Sequence, residues 1–246
     1  MDRDTAVARI QQKLGFRTDL VSQIQQALQD AQDQLERGAT LPWFLEQEDH
    51  IFTITPSIPI SASPQEYALP SGFIKDVDEQ DGTLRWQKQK PGPQVFLERL
   101  DYAIAEKRFY GKTVVTYDEG VVIIPSEDTQ FSPGTPIAYV VRANTVRIYP
   151  GPDITYNLLW SFYAHDDALT GGNMTNNWLT YAPYLLIGEA GSLIAEDTRD
   201  KEAFDAFQVI LDGSPRTGSR GARKDFLALL YEREIGGRRY SMGSRL

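Results

Sequence analysis

The sequence predicts an α+β fold. N- and C-terminal helices form a bundle, which carries an inserted β-rich domain, sandwich- or barrel-like, and an extended C-terminal tail. Apolar residues recur at helical spacing near both ends, whereas short β-branched and aromatic stretches separated by Pro, Gly and Ser occupy the middle. We predict N-terminal bundle helices in residues 1–45, the β-rich domain in 46–168, C-terminal bundle helices in 169–212 and a basic tail in 213–246.

Two helices are predicted at the N-terminus. The first runs from Thr5 to Leu14, because its apolar residues recur every four positions, and Gly15 ends it. The second begins at Thr18 or Asp19, since either side chain can accept a hydrogen bond from a free N–H group of the first turn. Its apolar residues then follow spacings of three and four, which places them on one face.

The opposite face of the second helix is rich in glutamine and therefore close to neutral. The simpler interpretation is a solvated face. The alternative is a contact between subunits, because identical neutral faces approach each other without charge repulsion. Three glutamines are candidates for such a contact: Gln25, Gln29 and Gln32.

The middle of the chain is predicted to form short strands joined by turns. The predicted strands are Ile51–Thr55, Glu66–Ala68, Gly82–Gln87, Val114–Tyr117, Val121–Ile124, Ile137–Val141, Thr145–Tyr149 and Tyr156–Tyr163. Arg142–Asn144 suits a hairpin turn, and Phe96–Phe109 suits one crossover helix. Arg85–Pro93 and Glu127–Pro136 have the composition of exposed loops.

Helical sequence returns towards the C-terminus. Asn176–Asn177 or Thr180 can cap the first free N–H groups, and Pro183 falls in a first turn, where its missing N–H is harmless. Gly188 and Gly191 lie inside the apolar stripe that follows, at a cost in helix propensity. Such a cost is tolerable where the glycines allow a close approach of another element.

The charge is unevenly distributed. Residues 213–246 hold eight Arg or Lys and three acids, a net charge of +5, and the total of −9 then leaves −14 on residues 1–212. Beyond the final helix, which starts at Asp200, the Gly- and Ser-rich composition of residues 213–221 predicts a flexible linker, and a short amphipathic piece, Asp225–Arg233, follows it. The basic segment is either a solvated tail or a docking arm for an acidic surface or nucleic acid. The acidic body argues against nucleic-acid binding as the main task and suits a conduit for DNA.

Signatures of catalysis are sparse. The chain has no cysteine and two histidines, His50 and His165, which we interpret as loop residues because a metal site needs three or four converging ligands. Gly111-Lys112-Thr113 ends like a phosphate-binding loop, but Glu106 occupies the position of the leading glycine. We expect no cofactor, metal, signal peptide or membrane span. A pair of catalytic carboxylates stays open, because geometry and not spacing defines it.

Four segments carry a resemblance to a known family: Asn177–Ala190, with Asn-Trp-Leu before an Ala-Pro helix start, Val146–Pro150, Leu158–Ala164, and Tyr67–Ile74 with its Leu-Pro-x-x-Phe end. Together with the N-terminal helix pair, they resemble the head-to-tail adaptor, or connector, proteins of short-tailed bacteriophages. These are the tail tubular protein A-like or P22 tail accessory factor-like proteins. The resemblance covers residues 5–212.

The resemblance implies a structural protein and not an enzyme. In that family a helical bundle carries a β-rich insertion, and about twelve copies close into a ring by head-to-tail contacts. The implied partners are the protein itself, the portal protein above, the tail nozzle or other tail proteins below, and genomic DNA that passes without sequence-specific binding. No membrane is implied. The expected location is the head–tail interface of the virion, reached from the host cytoplasm during assembly.

Candidate contacts follow from this resemblance, because the C-terminal segment of such proteins reaches along the portal. The portal-docking candidates are Arg216, Arg220, Arg223, Lys224, Phe226, Arg238, Arg239 and Tyr240. The subunit-interface candidates are Gln25, Gln29, Gln32, Trp178 and Tyr184.

Two other functions stay open. A tail-associated peptidoglycan hydrolase would need two buried carboxylates that face one cleft, with a raised pKa on one of them. A glycan-binding module would need exposed aromatic side chains in the β-rich domain, for which Trp86, Tyr110 and Tyr117 are candidates, although packing in the β core is the simpler interpretation.

Overall fold

The computed structural model describes residues 1–56, 65–78, 82–87, 94–110, 134–214, 216, 218–228 and 230, and the backbone of 113–117 and 120–124. Both helices and sheets are present, which confirms the predicted mixed class. The chain divides into two units. Met1–Leu45 with His165–Leu246 forms one, here called the helical unit, and Glu46–Ala164 forms the other, here called the sheet unit.

The elements are numbered in chain order. The helices are α1 (Arg3–Lys13), α2 (Val21–Glu36), α3 (Tyr102–Tyr110), α4 (Asn177–Tyr181), α5 (Pro183–Asp197) and α6 (Lys201–Asp212). The strands are β1 (Glu46–Ile54), β2 (Gln65–Ala68), β3 (Phe73–Asp76), β4 (Arg85–Gln87), β5 (Gln94–Phe96), β6 (Glu98–Arg99), β7 (Thr113–Tyr117), β8 (Gly120–Ile124), β9 (Ala138–Arg142), β10 (Thr145–Tyr149), β11 (Tyr156–Ala164), β12 (Gly213–Ser214) and β13 (Ser219–Arg220).

The N-terminal helices are confirmed as α1 and α2, but the predicted cap of α2 is wrong. A short 3-10 turn, Thr18–Leu20, leads into α2, and no side chain caps the helix. The Asp19 carboxylate instead accepts a hydrogen bond from the Arg17 guanidinium at 2.7 Å. The Asp19 carboxylate therefore binds the charged Arg17 side chain, two residues away, instead of the free N–H groups of the helix.

The C-terminal helices start where the capping residues predict. Asn176 Oδ1 accepts a hydrogen bond from the Leu179 N–H at 2.9 Å, which caps α4. Pro183 is the first residue of α5, and Asp200 caps α6 by accepting from the Ala203 N–H at 3.0 Å.

The two glycines inside α5 make room for side chains of α6. A Cβ at Gly188 would lie 2.6 Å from Leu211 Cδ2, and a Cβ at Gly191 would overlap the Phe207 ring and lie 2.5 Å from its Cζ. Phe207 and Leu211 are both fully buried. The predicted close approach at these glycines is therefore confirmed, and the cost in helix propensity is offset by tighter packing between α5 and α6.

The sheet unit contains two main sheets. In the five-stranded sheet, β11 pairs antiparallel with β1, β3 and β4, and β4 pairs with β5. The four-stranded sheet has the order β2-β10-β9-β6, and β7 and β8 form a separate hairpin. Among the described residues neither main sheet closes on itself, so the barrel-like alternative is wrong.

Several local predictions in the sheet unit need correction. Phe96–Phe109 is not one helix, because β5 and β6 take up its first residues and α3 starts at Tyr102. Arg85–Gln87 is a strand and not part of a loop, while 88–93 and most of Glu127–Pro136 lie outside the described residues. The strands β3 and β5 are additions to the predicted set. All three residues of β5 are exposed, so the strand lacks the alternation of buried and exposed side chains that marks a strand in a sequence.

A buried carboxylate lies at the centre of the sheet unit. Asp76 is 0% exposed, and its Oδ1 accepts a hydrogen bond from Trp160 Nε1 at 2.5 Å. Its Oδ2 accepts one from the Tyr139 hydroxyl at 3.1 Å and lies 3.2 Å from Arg99 Nε. Burial raises the pKa of Asp76, and these donors oppose the shift. Trp160 in turn packs edge-on against Phe52 and Tyr139.

The overlap at Gly191 makes a stability prediction. Ala normally stabilises a helix relative to Gly by about 0.5–1 kcal/mol. Here we expect Gly191→Ala to lower the free energy of unfolding by about 1–3 kcal/mol, because the new methyl group overpacks against Phe207. Urea denaturation measures the change. In a Phe207→Ala background the loss should shrink, and an equal loss in both backgrounds would contradict the overlap.

Candidate interaction surfaces

The last residue of α2, Glu36, is the centre of a polar network inside the helical unit. Its side chain is 1% exposed. Oε1 accepts hydrogen bonds from Gln32 Nε2 at 3.0 Å and Trp178 Nε1 at 2.9 Å, and Oε2 lies 2.6 Å from His165 Nδ1. His165 is thus a partner of Glu36, a role that its interpretation as a loop residue missed. The network ties the end of α2 to residues 165–178.

Two predicted subunit-interface residues belong to this interior network. Gln32 is 1% exposed, and its Oε1 accepts a hydrogen bond from Asn176 Nδ2 at 3.0 Å. Trp178 is 0% exposed, and its ring packs edge-on against Phe44 at a centroid distance of 5.0 Å. Both side chains are buried within their own chain, which argues against these two predicted subunit contacts. A buried polar side chain is stable here because every partner lies within reach.

Other interface candidates lie closer to the surface. Gln25 and Gln29 are both half-buried on α2, and Gln29 Oε1 accepts a hydrogen bond from the Leu169 N–H at 3.3 Å. Tyr184 is 56% exposed, and the Arg9 guanidinium lies 5.4 Å from its ring centroid. Gln25 and Tyr184 therefore stay open as contact residues. Residues 29, 32 and 36 are three and four positions apart, so they share one face of α2. This spacing could have indicated that the polar side chains face inward.

The segment before α4 is fixed by a second carboxylate. Asp166 Oδ2 accepts a hydrogen bond from the Trp178 N–H at 3.2 Å, and Oδ1 accepts one from Asn177 Nδ2 at 3.1 Å. Burial raises the pKa of the Asp166 carboxyl, the donating N–H groups lower it, and the nearby Glu36 charge raises it further. The start of α4 is thereby held against residues 165–167.

The described residues between α6 and Gly221 are folded, which corrects the flexible linker predicted for residues 213–221. The strands β12 and β13 form a small antiparallel hairpin, and residues 222–228 are helical. Gly213 has φ of +84°, and a Cβ at Gly221 would overlap the backbone of Asp212 and Gly213. Only glycine fits both positions, so these residues set the shape of the turn.

Two of the predicted portal-docking residues contact other helices of their own chain. The Arg223 guanidinium donates to Glu189 Oε1 at 3.0 Å and to Asp212 Oδ1 at 3.1 Å. The Phe226 ring lies 5.8 Å from the Trp178 ring. Arg223 and Phe226 therefore hold helix 222–228 against the other helices of the helical unit.

The remaining portal-docking candidates divide into two groups. Arg216, Arg220 and Lys224 are exposed, and Arg220 forms a surface ion pair with Asp225 at 3.4 Å. Such pairs contribute little to stability, so these side chains are free to exchange partners. The other candidates, Arg238, Arg239 and Tyr240, lie outside the described residues.

The geometry gives the alternative functions no site in the described part of the chain. No group of His, Asp and Glu there could hold a metal ion. Two carboxyls have a raised pKa, Asp76 and Asp166, but Asp76 is 0% exposed and both oxygens of Asp166 accept hydrogen bonds from the start of α4. Trp86 packs against the core of the sheet unit instead of lying exposed, and the side chains of Tyr110 and Tyr117 are outside the described part. No described helix is long and apolar enough to cross a membrane.

The buried carboxylates Glu36, Asp76 and Asp166 are bound by donors of their own chain and so stabilise the fold. The chain belongs to the SU10 adaptor protein family, whose model matches residues 1–223. Membership of this family implies a structural adaptor of a bacteriophage, a virion component that interacts with other head and tail proteins. No curated protein matches the chain. The match confirms the resemblance seen in the sequence and extends past residue 212 through the β12–β13 hairpin.

The contact between Trp178 and Glu36 makes the second prediction. Trp178→Phe keeps an aromatic ring but removes the N–H that Glu36 Oε1 accepts, so we expect the free energy of unfolding to fall by about 1–3 kcal/mol. Trp86→Phe is the matched control, because the Trp86 Nε1–H is buried without a partner among the described residues. Urea denaturation compares the two variants. Equal losses would show that the hydrogen bond to Glu36 contributes nothing.

Proposed function

We propose that copies of this protein close into a ring that joins the portal to the tail and continues the DNA channel. The observation that carries the proposal is the family match over residues 1–223, because an adaptor must bind neighbours on both sides. A closed ring with about twelve copies needs two different complementary surfaces on each copy.

The architecture that we propose for the ring subunit is a helical bundle with an inserted sheet domain. Both ends of the chain contribute to the helical unit, while residues 46–164 form the sheet unit between them. This supports domain boundaries near residues 45 and 165 and a bundle that carries an insertion. It also extends the bundle beyond residue 212, because the segment after α6 packs on it.

The charge distribution supports the proposed contacts. Residues 1–212 carry −14, which suits a channel wall that repels DNA phosphates and lets DNA slide during ejection. Two exposed cations after α6, Arg216 and Lys224, together with Arg238, Arg239 and Tyr240, are the proposed portal contacts. Arg220, Arg223 and Phe226 are left out of this set, because residues of their own chain already bind them.

Imaging of the assembled particle tests the ring. We expect cryo-electron microscopy of the virion to show a ring of this protein between portal and tail, with a negatively charged inner wall. Labelling of the protein by a C-terminal tag assigns the density. Its presence elsewhere in the particle, or as single copies, would contradict the proposal.

Two truncations test the portal contact separately from folding. Deletion of residues 231–246 removes Arg233, Arg238, Arg239 and Arg245 but keeps Arg223 and Phe226, so we expect unchanged thermal stability and weaker portal binding. Deletion of residues 214–246 also uncovers Trp178 and leaves Glu189 without its cation, so we expect a lower melting temperature. Co-sedimentation with the portal and thermal melts measure both. Full portal binding by the shorter truncation would remove the proposed role of the C-terminal residues.

A further inference from the structure

The turn between α1 and α2 exposes an aromatic ring in a strained backbone conformation. Phe16 is 70% exposed, the largest exposed fraction among the large apolar side chains described. Its φ is +62°, directly after Gly15 with φ of +70°. A non-glycine residue in this region costs about 1–2 kcal/mol. This backbone strain is not offset by burial of the Phe16 ring, which is a reason to look for a function of the exposed ring.

The turn is held by specific contacts. The Phe16 N–H donates to the Gln11 carbonyl at 2.7 Å, and Gln11 Nε2 donates to the Arg17 carbonyl at 3.3 Å. Arg17 and Asp19 form a two-pronged ion pair at 2.9 and 2.7 Å. The backbone on both sides of Phe16 is therefore ordered, and the ring projects from a fixed base.

A matching groove lies elsewhere on the helical unit. It is a cavity of about 220 Å³ between the α4–α5 junction and helix 222–228, and its lining includes Tyr181, Tyr184, Asp225 and Phe226. Tyr181 is 44% and Tyr184 56% exposed, so the aromatic wall faces solvent. An apolar cavity of about 150 Å³ is enough to hold a benzene ring. The groove therefore has room for one phenyl group.

The charges beside the two features are complementary. Arg17 and Asp19 flank Phe16, with side chains 52% and 61% exposed. Arg220 and Asp225 flank the groove, with side chains 64% and 61% exposed and a separation of 3.4 Å. Two exposed ion pairs that meet crosswise exchange partners at little cost, Arg17 with Asp225 and Asp19 with Arg220.

We propose that Phe16 of one copy inserts into the groove of a second copy, and that this contact is repeated between neighbours around the ring. The two surfaces differ, so the contact is head-to-tail and can close a ring of many copies. A buried aromatic side chain in a small pocket with charged residues at the rim is the usual form of an energetic centre in an interface. This inference rests on the proposed ring.

The absence of cysteine in the natural chain allows a direct test. Phage particles are assembled with the double variant Arg17→Cys and Asp225→Cys, which keeps Phe16 and Tyr184, and are treated with a short bismaleimide. We expect a ladder of covalent multimers on a denaturing gel, because each Cys at position 17 joins the Cys at position 225 of the next copy. The pair Val209→Cys and Asp225→Cys is the control, since Val209 is 49% exposed on α6 of the same unit and belongs to neither feature.

The outcomes separate this inference from the ring itself. A ladder for the test pair and none for the control supports it. A ring in the particle without a ladder overturns the Phe16 contact and leaves the ring standing. Particles without a ring overturn the proposed function.

A charge exchange gives a second readout. The double variant Asp19→Arg and Arg220→Asp makes the Phe16 side wholly positive and the groove side wholly negative. We expect self-association of the purified protein to strengthen at least tenfold at low salt, and the gain to disappear at high salt. Sedimentation velocity measures it. Unchanged or weaker association would overturn the proposed pairing of these charges.

Discussion

The helical unit depends on one buried carboxylate. Glu36 ends α2 inside the protein, where an unpaired charge would cost several kcal/mol. Its two oxygens are satisfied by Gln32, Trp178, His165 and the Asp166 N–H. Three of these donors come from residues 165–178, more than a hundred positions away in the chain. The need to satisfy this charge therefore fixes how the C-terminal helices return to the N-terminal pair.

The sheet unit follows the same physical rule with different residues. Asp76 is buried at the end of β3, and the indole N–H of Trp160 donates to it, as that of Trp178 does to Glu36. In both units a large aromatic side chain supplies apolar surface and one donor at once. A buried carboxylate with all its partners in place favours one arrangement of the surrounding elements, because any other arrangement leaves a charge unsatisfied.

Because the buried carboxylates are bound within the chain, contacts with neighbouring proteins fall to the surface. The polar and charged groups with a structural role, Glu36, Asp76, Asp166 and Arg223, are bound within the chain. The surface has features of another kind, which do not hold the fold together. They are the exposed Phe16 on a strained turn, the aromatic groove near Tyr184 and surface ion pairs. Contacts of this kind suit an adaptor, which must stay folded alone and still bind neighbours.

The sequence alone determined the local elements. Regular spacing of apolar residues located α1, α2, α5 and α6, and capping chemistry located Asn176, Pro183 and Asp200, because these signals act within a few residues. The quoted motifs also determined the family, which the match over residues 1–223 shows. The class of protein therefore follows from short stretches of sequence, each of which spans only a few turns of helix or a single strand.

Only the tertiary structure decided which surface each residue faces. Gln32 and Gln29 look alike in the sequence, yet Gln32 is buried because Glu36 and Asn176 lie within hydrogen-bond distance of it. Arg223 and Phe226 have the sequence context of a flexible tail, but Glu189 and Trp178, distant in the chain, bind them. The strands β3 and β5 form because β11 and β4 offer free backbone groups. Partners far apart in sequence decide such outcomes, and no local pattern encodes them.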